Sequence, residues 1–164
     1  MPVIIGRPPP VLCSARVLAY ATIPDDIPFT DRVIVFVGDE RLGRVPCVAI
    51  AEPLQSSAGD LLLLYCDQEW RVIAAGGGDL ASIKRRMELN YPGVSALWVD
   101  VNTPVDVALK YYDEHIDGWR CAVCRKRAFD VDTMYGNDDV EIVVCGECAD
   151  GTAEGAAIIA RLKD

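Results

Sequence analysis

Hydrophobic positions between residues 11 and 101 recur mostly with the two-residue period of strands. Residues 16–23 (RVLAYATI) read as one strand that stops at Pro24, and the Asp25-Asp26-Ile27-Pro28 loop that follows holds two acids and a second proline. Residues 33–37 and 45–51 predict the two arms of a hairpin, with Gly38 and Gly43 relieving the turn and Pro46 marking a strand start or an edge. Residues 61–65 (LLLLY) are apolar at every position, as a central strand covered on both faces requires. After a turn at residues 67–69, residues 70–74 complete a second hairpin, and Gly76-Gly77-Gly78 reads as a flexible loop.

The period then changes. Residues 80–90 place Leu80, Ile83 and Met87 on one helical face, with Lys84, Arg85, Arg86 and Glu88 toward water, and Pro92-Gly93 ends the pattern. Residues 96–101 form the returning strand, which a crossover of this length lays parallel to a neighbour. A second helix starts from Thr103 as N-cap, Pro104 in its first turn and Asp106 at its positive end. Val105, Ala108, Leu109, Tyr112 and Ile116 form its apolar stripe, and Gly118 stops it. These elements predict an α+β fold: a strand-rich mixed sheet with two helices over residues 1–117.

The remaining segment, residues 118–164, is organised differently. Cys121-Ala-Val-Cys124 and Cys145-Gly-Glu-Cys148 stand twenty residues apart. A CxxC holds two thiolates on one tight turn, and two such turns brought together place four sulfurs at the corners of a tetrahedron, the geometry zinc accepts. Two redox pairs would sit near a thioredoxin-like βαβ pattern, and neither does; two disulfides would suit an exported chain, and nothing in the sequence addresses it for export. The four cysteines Cys121, Cys124, Cys145 and Cys148 are therefore assigned to one structural Zn2+ per chain. They leave no open coordination position of the kind a catalytic zinc keeps, and the lone histidine, His115, lies outside the motif.

Between the pairs lie Arg125, Lys126 and Arg127, a polar turn-prone run over residues 132–139, and an apolar strand over residues 140–144. After Cys148 the chain reads as one helix to its end, with Ala153, Ala156, Ala157, Ile159, Ala160 and Leu162 on its apolar face. Knuckle, hairpin, knuckle and helix follow one another in a treble-clef-like order. Here the segment resembles the four-cysteine zinc-binding domain at the front of the ClpX unfoldase family, through the first Cys-x-x-Cys, the following Lys126, the apolar strand and Cys145-Gly146-Glu147-Cys148. The chain departs from that pattern by carrying Arg125 where a glycine is usual and by a slightly longer hairpin. The resemblance spans about residues 119–164 and implies a dimerising, partner-recruiting module. No G-x-x-x-x-G-K-[ST] occurs anywhere, so no unfoldase activity is implied.

Charge narrows the partners. The net charge of −9 is shared by both parts, with eleven Lys and Arg against sixteen Asp and Glu in residues 1–120, and five against nine in residues 121–164. Such a balance repels phosphate backbones and fits a basic protein partner better. No apolar run approaches a membrane span or a signal peptide's apolar region, so a cytoplasmic location is expected, and Cys13, Cys47 and Cys66 read as small buried hydrophobes. No catalytic constellation can be assembled. Gly76 to Gly78 lacks the spacing of a phosphate loop, His115 has no motif-linked nucleophile, and Asp25, Asp26, Asp138 and Asp139 sit in polar turns. The expected function is that of a non-catalytic zinc-binding adaptor or docking protein, forming a homodimer through its zinc module, with Phe129, Tyr135 and Val143 as partner-facing candidates. The alternatives are an acidic immunity protein that neutralises a toxin or nuclease, and a nucleic-acid-binding zinc ribbon using Arg125 to Arg127.

Overall fold

The computed structural model describes residues 4–55, 59–137 and 142–163. The chain divides into two compact units, Met1–Tyr111 and Tyr112–Asp164. The first contains β1 (Val11–Leu12), β2 (Ala15–Thr22), β3 (Phe36–Val37), β4 (Glu40–Arg41), β5 (Cys47–Pro53), β6 (Leu61–Cys66), β7 (Val72–Gly78), α1 (Leu80–Asn90) and β8 (Val99–Asp100). The boundary between the units falls within α2 (Val105–His115).

The principal sheet has six strands in the order β1-β2-β5-β6-β7, with β8 also paired to β2. All of its pairs are antiparallel, which corrects the expected mixed sheet. The reason lies in where the crossover lands. Alternation along the order makes β7 and β8 run in the same direction, as a helical crossover returns them. However, β8 reaches the far edge, beside β2, so its hydrogen-bonded neighbour runs the other way.

Both faces of this sheet are covered. Val48, Ile50, Leu63 and Tyr65 point to a core closed by Ile83, Met87, Tyr91 and Val94. Cys47, Ala49, Ala51, Leu64 and Cys66 point to the opposite core with Leu12 and Trp70. This is why the run at β6 is apolar throughout: it is an internal strand between β5 and β7. A register shift between Val17 and Ala19 in β2 changes the phase of its side chains. Ala15 and Val17 join the second core, whereas Ala19, Ala21 and Ile23 join the first. One extra residue reverses the alternation, so a single strand serves both layers.

Several expected elements are rearranged. Residues 33–37 do not pair with β5; instead β3 pairs with β4 in a separate two-stranded sheet turning at Gly38, whose φ is 61°. Gly76 to Gly78 are not a loop but the end of β7, paired opposite Leu61, Leu62 and Leu63. Glycine suits this strand because the Arg86 guanidinium lies against it: its Nη2 donates to the Gly77 carbonyl at 2.7 Å, and a Cβ on Gly78 would stand 3.2 Å from that nitrogen. Trp70 is not a strand residue either. It sits at φ 64° in the preceding turn, buried, with Nε1 donating to the Gly6 carbonyl at 2.9 Å.

Helix α1 is capped by Asp79, whose carboxylate accepts from the Ser82 amide and hydroxyl at 2.9 and 2.8 Å. Leu80, expected in the core, is exposed, and Asn90 takes the third buried position with Ile83 and Met87. The Asn90 side chain accepts from the Val33 amide at 2.6 Å and donates to its carbonyl at 2.8 Å, a pairing that fastens the 30–33 loop and that apolar periodicity does not reveal. In α2, Ala108 and Tyr112 are buried while Val105 is exposed.

Candidate metal centre

The second unit holds β9 (Met134–Gly136), β10 (Val143–Cys145), α3 (Gly146–Gly151) and α4 (Ala153–Leu162). Strands β9 and β10 form an antiparallel pair with Cys145 opposite Met134. Cys145 is the N-cap of α3, so the second CxxC lies where strand becomes helix, and Cys148 follows on the first turn. The first CxxC is a hydrogen-bonded turn. The Arg125 amide donates to the Cys121 carbonyl at 2.9 Å and the Cys121 amide to the Lys126 carbonyl at 3.0 Å. A further bond, from the Ala122 amide to the Val143 carbonyl at 2.8 Å, fastens this turn to β10.

These elements bring the four predicted ligands together. The sulfurs of Cys121, Cys124, Cys145 and Cys148 all lie within 4.8 Å of one another, and the Cys124 and Cys145 sulfurs are 3.8 Å apart. A tetrahedral ion with metal–sulfur bonds of about 2.3 Å requires sulfur–sulfur edges of about 3.8 Å, so the cluster has the dimensions of a four-thiolate metal site. All four are free thiols rather than disulfides. Cys121, Cys145 and Cys148 are buried and Cys124 is exposed, which leaves the site at the edge of a small core of Val144, Val123, Met134, Ile158 and Ile159.

The electrostatics of the cluster suit a cation. Burial by itself raises the Cys121 thiol, yet amide donors at Cys145, Cys124 and Val123, with the Cys124 side chain, outweigh it and hold Cys121 down to about 6. Cys148 is pushed up to about 12, first by burial and then by its bonds with the other three sulfurs and the charge on Cys121. The pocket therefore stabilises one thiolate and resists the next. A divalent ion among the four removes that repulsion and allows all to ionise.

A second layer of ion pairs braces the site. Lys126 Nζ donates to Glu147 Oε2 at 2.8 Å, tying the residue after the first knuckle to the residue inside the second. Arg127 grips Asp113 with a two-pronged fork, Nε to Oδ1 and Nη2 to Oδ2, each 2.8 Å, and reaches Asp130 at 2.9 Å. Arg120 also pairs with Asp113. Hydrogen bonds from these two guanidinium groups hold the Asp113 carboxyl well below the usual carboxylate range. Sequence reading missed this network, because Asp113 lies beyond the motif and its partners flank the knuckle on either side.

The other assigned residues fall in varied places. Phe129 is partly buried, edge-on to Tyr112 with ring centroids 4.9 Å apart, and Val143 is buried; Tyr135 is exposed on β9. The single helix expected after Cys148 is two helices. Thr152 interrupts it, its hydroxyl donating to the Cys148 carbonyl at 2.7 Å and accepting from the Gly155 amide at 2.9 Å. That break rotates α4, so Gly155, Ile158 and Ile159 turn inward and Ala153, Ala156, Ala157 and Ala160 are exposed. His115 lies exposed at the end of α2, and Asp25 and Asp26 are exposed turn residues; Asp138 and Asp139 lie outside the described residues.

No family model, no curated protein and no solved structure matches the chain. Among the described residues, no helix is long and apolar enough to cross a membrane.

Proposed function

We propose that this chain is a non-catalytic protein-interaction protein whose C-terminal unit is folded by one structural Zn2+. The observation that carries this reading is the set of four convergent sulfurs. Four protein ligands at zinc-like spacing complete a tetrahedron and leave no position for water or substrate, the arrangement of a structural rather than a catalytic metal. The order of knuckle, β9–β10 hairpin, knuckle and helix supports a treble-clef reading.

The interaction part of the proposal is supported by the surface beside the metal. An open groove of about 580 Å³ is lined by Met134, Tyr135, Ala156, Ile159 and Leu162, with Tyr135 standing exposed at its rim. Apolar grooves of this size are recognition surfaces more often than accidents of packing. The nucleic-acid alternative draws less support: Lys126 is paired with Glu147, and Arg127 with Asp113 and Asp130. Only one member of the basic triplet, Arg125, pairs with no described carboxylate.

Native mass spectrometry of the purified chain, before and after a strong chelator, tests the proposal. One zinc per chain, in a dimer that dissociates on chelation, is the expected result. A metal-free chain with four free thiols would overturn it. A tight one-to-one complex with a basic toxin or nuclease on capture would replace the adaptor reading with the inhibitor one.

A further inference from the structure

Beside the first knuckle lies a second cleft, of about 370 Å³, separate from the groove over β9. Its charged lining consists of Asp113, Asp117, Arg120 and Arg125, and Trp119 stands at its wall with 58 % of its surface exposed. Asp113 and Arg120 satisfy each other. Among the described residues, the side chains of Arg125 and Asp117 have no hydrogen-bonded or ionic partner. The cleft thus offers, among the described residues, one unengaged cation and one unengaged anion, with Trp119, Ile116 and Ile142 also in its lining.

The backbone makes Arg125 more than a surface arginine. It is held at φ 64°, a left-handed conformation that favours glycine, in the turn that closes the first CxxC. Glycine would form this turn without strain, so the guanidinium is present at a position where it costs stability. A strained residue that lines a concavity, with a side chain unpaired among the described residues, is the pattern of a recognition site. The cleft walls are also fixed. The Trp119 carbonyl accepts from the Ala128 amide at 3.0 Å, and Arg120 bridges to Arg127 across the knuckle.

We propose that this cleft binds a small zwitterion, a free α-amino acid with an apolar or aromatic side chain. Its carboxylate pairs with Arg125, its ammonium with Asp117, and its side chain lies against the Trp119 indole and the adjoining isoleucines. The arginine supplies a planar fork suited to a carboxylate, and the indole supplies stacking area. A volume of this order belongs to the small-ligand range. This site is independent of the docking groove and of which metal fills the four-cysteine centre.

The test uses the purified full chain, labelled with nitrogen-15, following its three indole N–H resonances, with Trp119 assigned by Trp119→Phe. L-Phenylalanine and L-leucine are the probes, against N-acetyl-phenylalanine, which lacks the ammonium, and phenylalaninamide, which lacks the carboxylate. The expected result is a saturable shift of the Trp119 resonance with either amino acid and at least tenfold weaker binding of each blocked analogue. Arg125→Gly should abolish the shift while raising the melting temperature, a combination that a merely structural arginine would not produce. Asp117→Asn should remove the preference for phenylalanine over its N-acetyl form. No saturable shift, or unchanged binding by Arg125→Gly, would overturn the site; equal binding of N-acetyl-phenylalanine would overturn the zwitterion assignment.

Discussion

Arg125 and Gly155 show how single residues set the metal unit's stability. Arg125 carries a Cβ through a left-handed turn at φ 64°. Replacing it with glycine relieves a penalty of about 1 kcal/mol, offset in part by the greater freedom of glycine when unfolded. Arg125→Gly is therefore expected to stabilise the second unit by a few tenths to 1 kcal/mol, read as a higher denaturant midpoint with an unchanged slope. Gly155 is constrained in the opposite sense. A Cβ there would overlap the Cys148 carbonyl, and the Gly155 amide donates to the Thr152 hydroxyl. Gly155→Ala is expected to push α4 away from the second knuckle and weaken zinc retention in competition with a colorimetric chelator. Retention equal to the parent's would show that α4 does not support the site. Both positions are invisible to composition: one looks like an ordinary arginine and the other like a helix weakener, and only backbone angles and close approach separate them.

At the scale of elements, caps and breaks decide where helices lie. Thr152 ends α3 and begins α4, linking both through one hydroxyl. Thr152→Ala removes the cap and leaves the Cys148 carbonyl without that donor, with an expected loss of about 1 kcal/mol, whereas Thr152→Ser should restore most of it. Hydrogen exchange over residues 153–162 is the measurement, and protection unchanged in the alanine variant would contradict the capping role. Long, strongly patterned elements were legible beforehand: β2, the doubly covered β6, and α1 lie where periodicity put them. Elements whose meaning depends on a partner were not. The glycine run ends strand β7 where Arg86 lies over it, and β3 pairs with β4 across the short turn at Gly38 rather than with β5.

For the whole molecule, the division into two units predicts unequal responses to metal removal. The first unit has two apolar cores around its sheet, whereas the second has a small core in which three of the four buried members are cysteines of the candidate metal centre. A unit of that size would depend on the structural metal proposed for it. Chelation is expected to abolish amide protection across residues 112–163 while leaving β2, β5 and β6 protected, measured by hydrogen exchange with mass analysis. Acid should act in the same order. Protons compete with the metal for the four sulfurs, so zinc should be released as pH falls, before the first unit unfolds. Simultaneous loss of both units at one chelator concentration or one pH would show that they fold as one.

The four cysteines and their pairing into two knuckles were legible in the sequence itself, because a CxxC is a local turn that any surrounding fold can carry. So was the strand-rich character of the first unit, because side chains alternate with the pleat wherever the strand is placed. What only the tertiary structure decided is which strands meet and which charges are engaged. Strand β8 could join either edge of the sheet with the same sequence, and its choice of β2 turned an expected mixed sheet antiparallel. Asp113 lies eight residues before the first cysteine, and only folding brings it under Arg120 and Arg127. Pairings of this kind rest on proximity between distant segments, and no local period encodes that proximity.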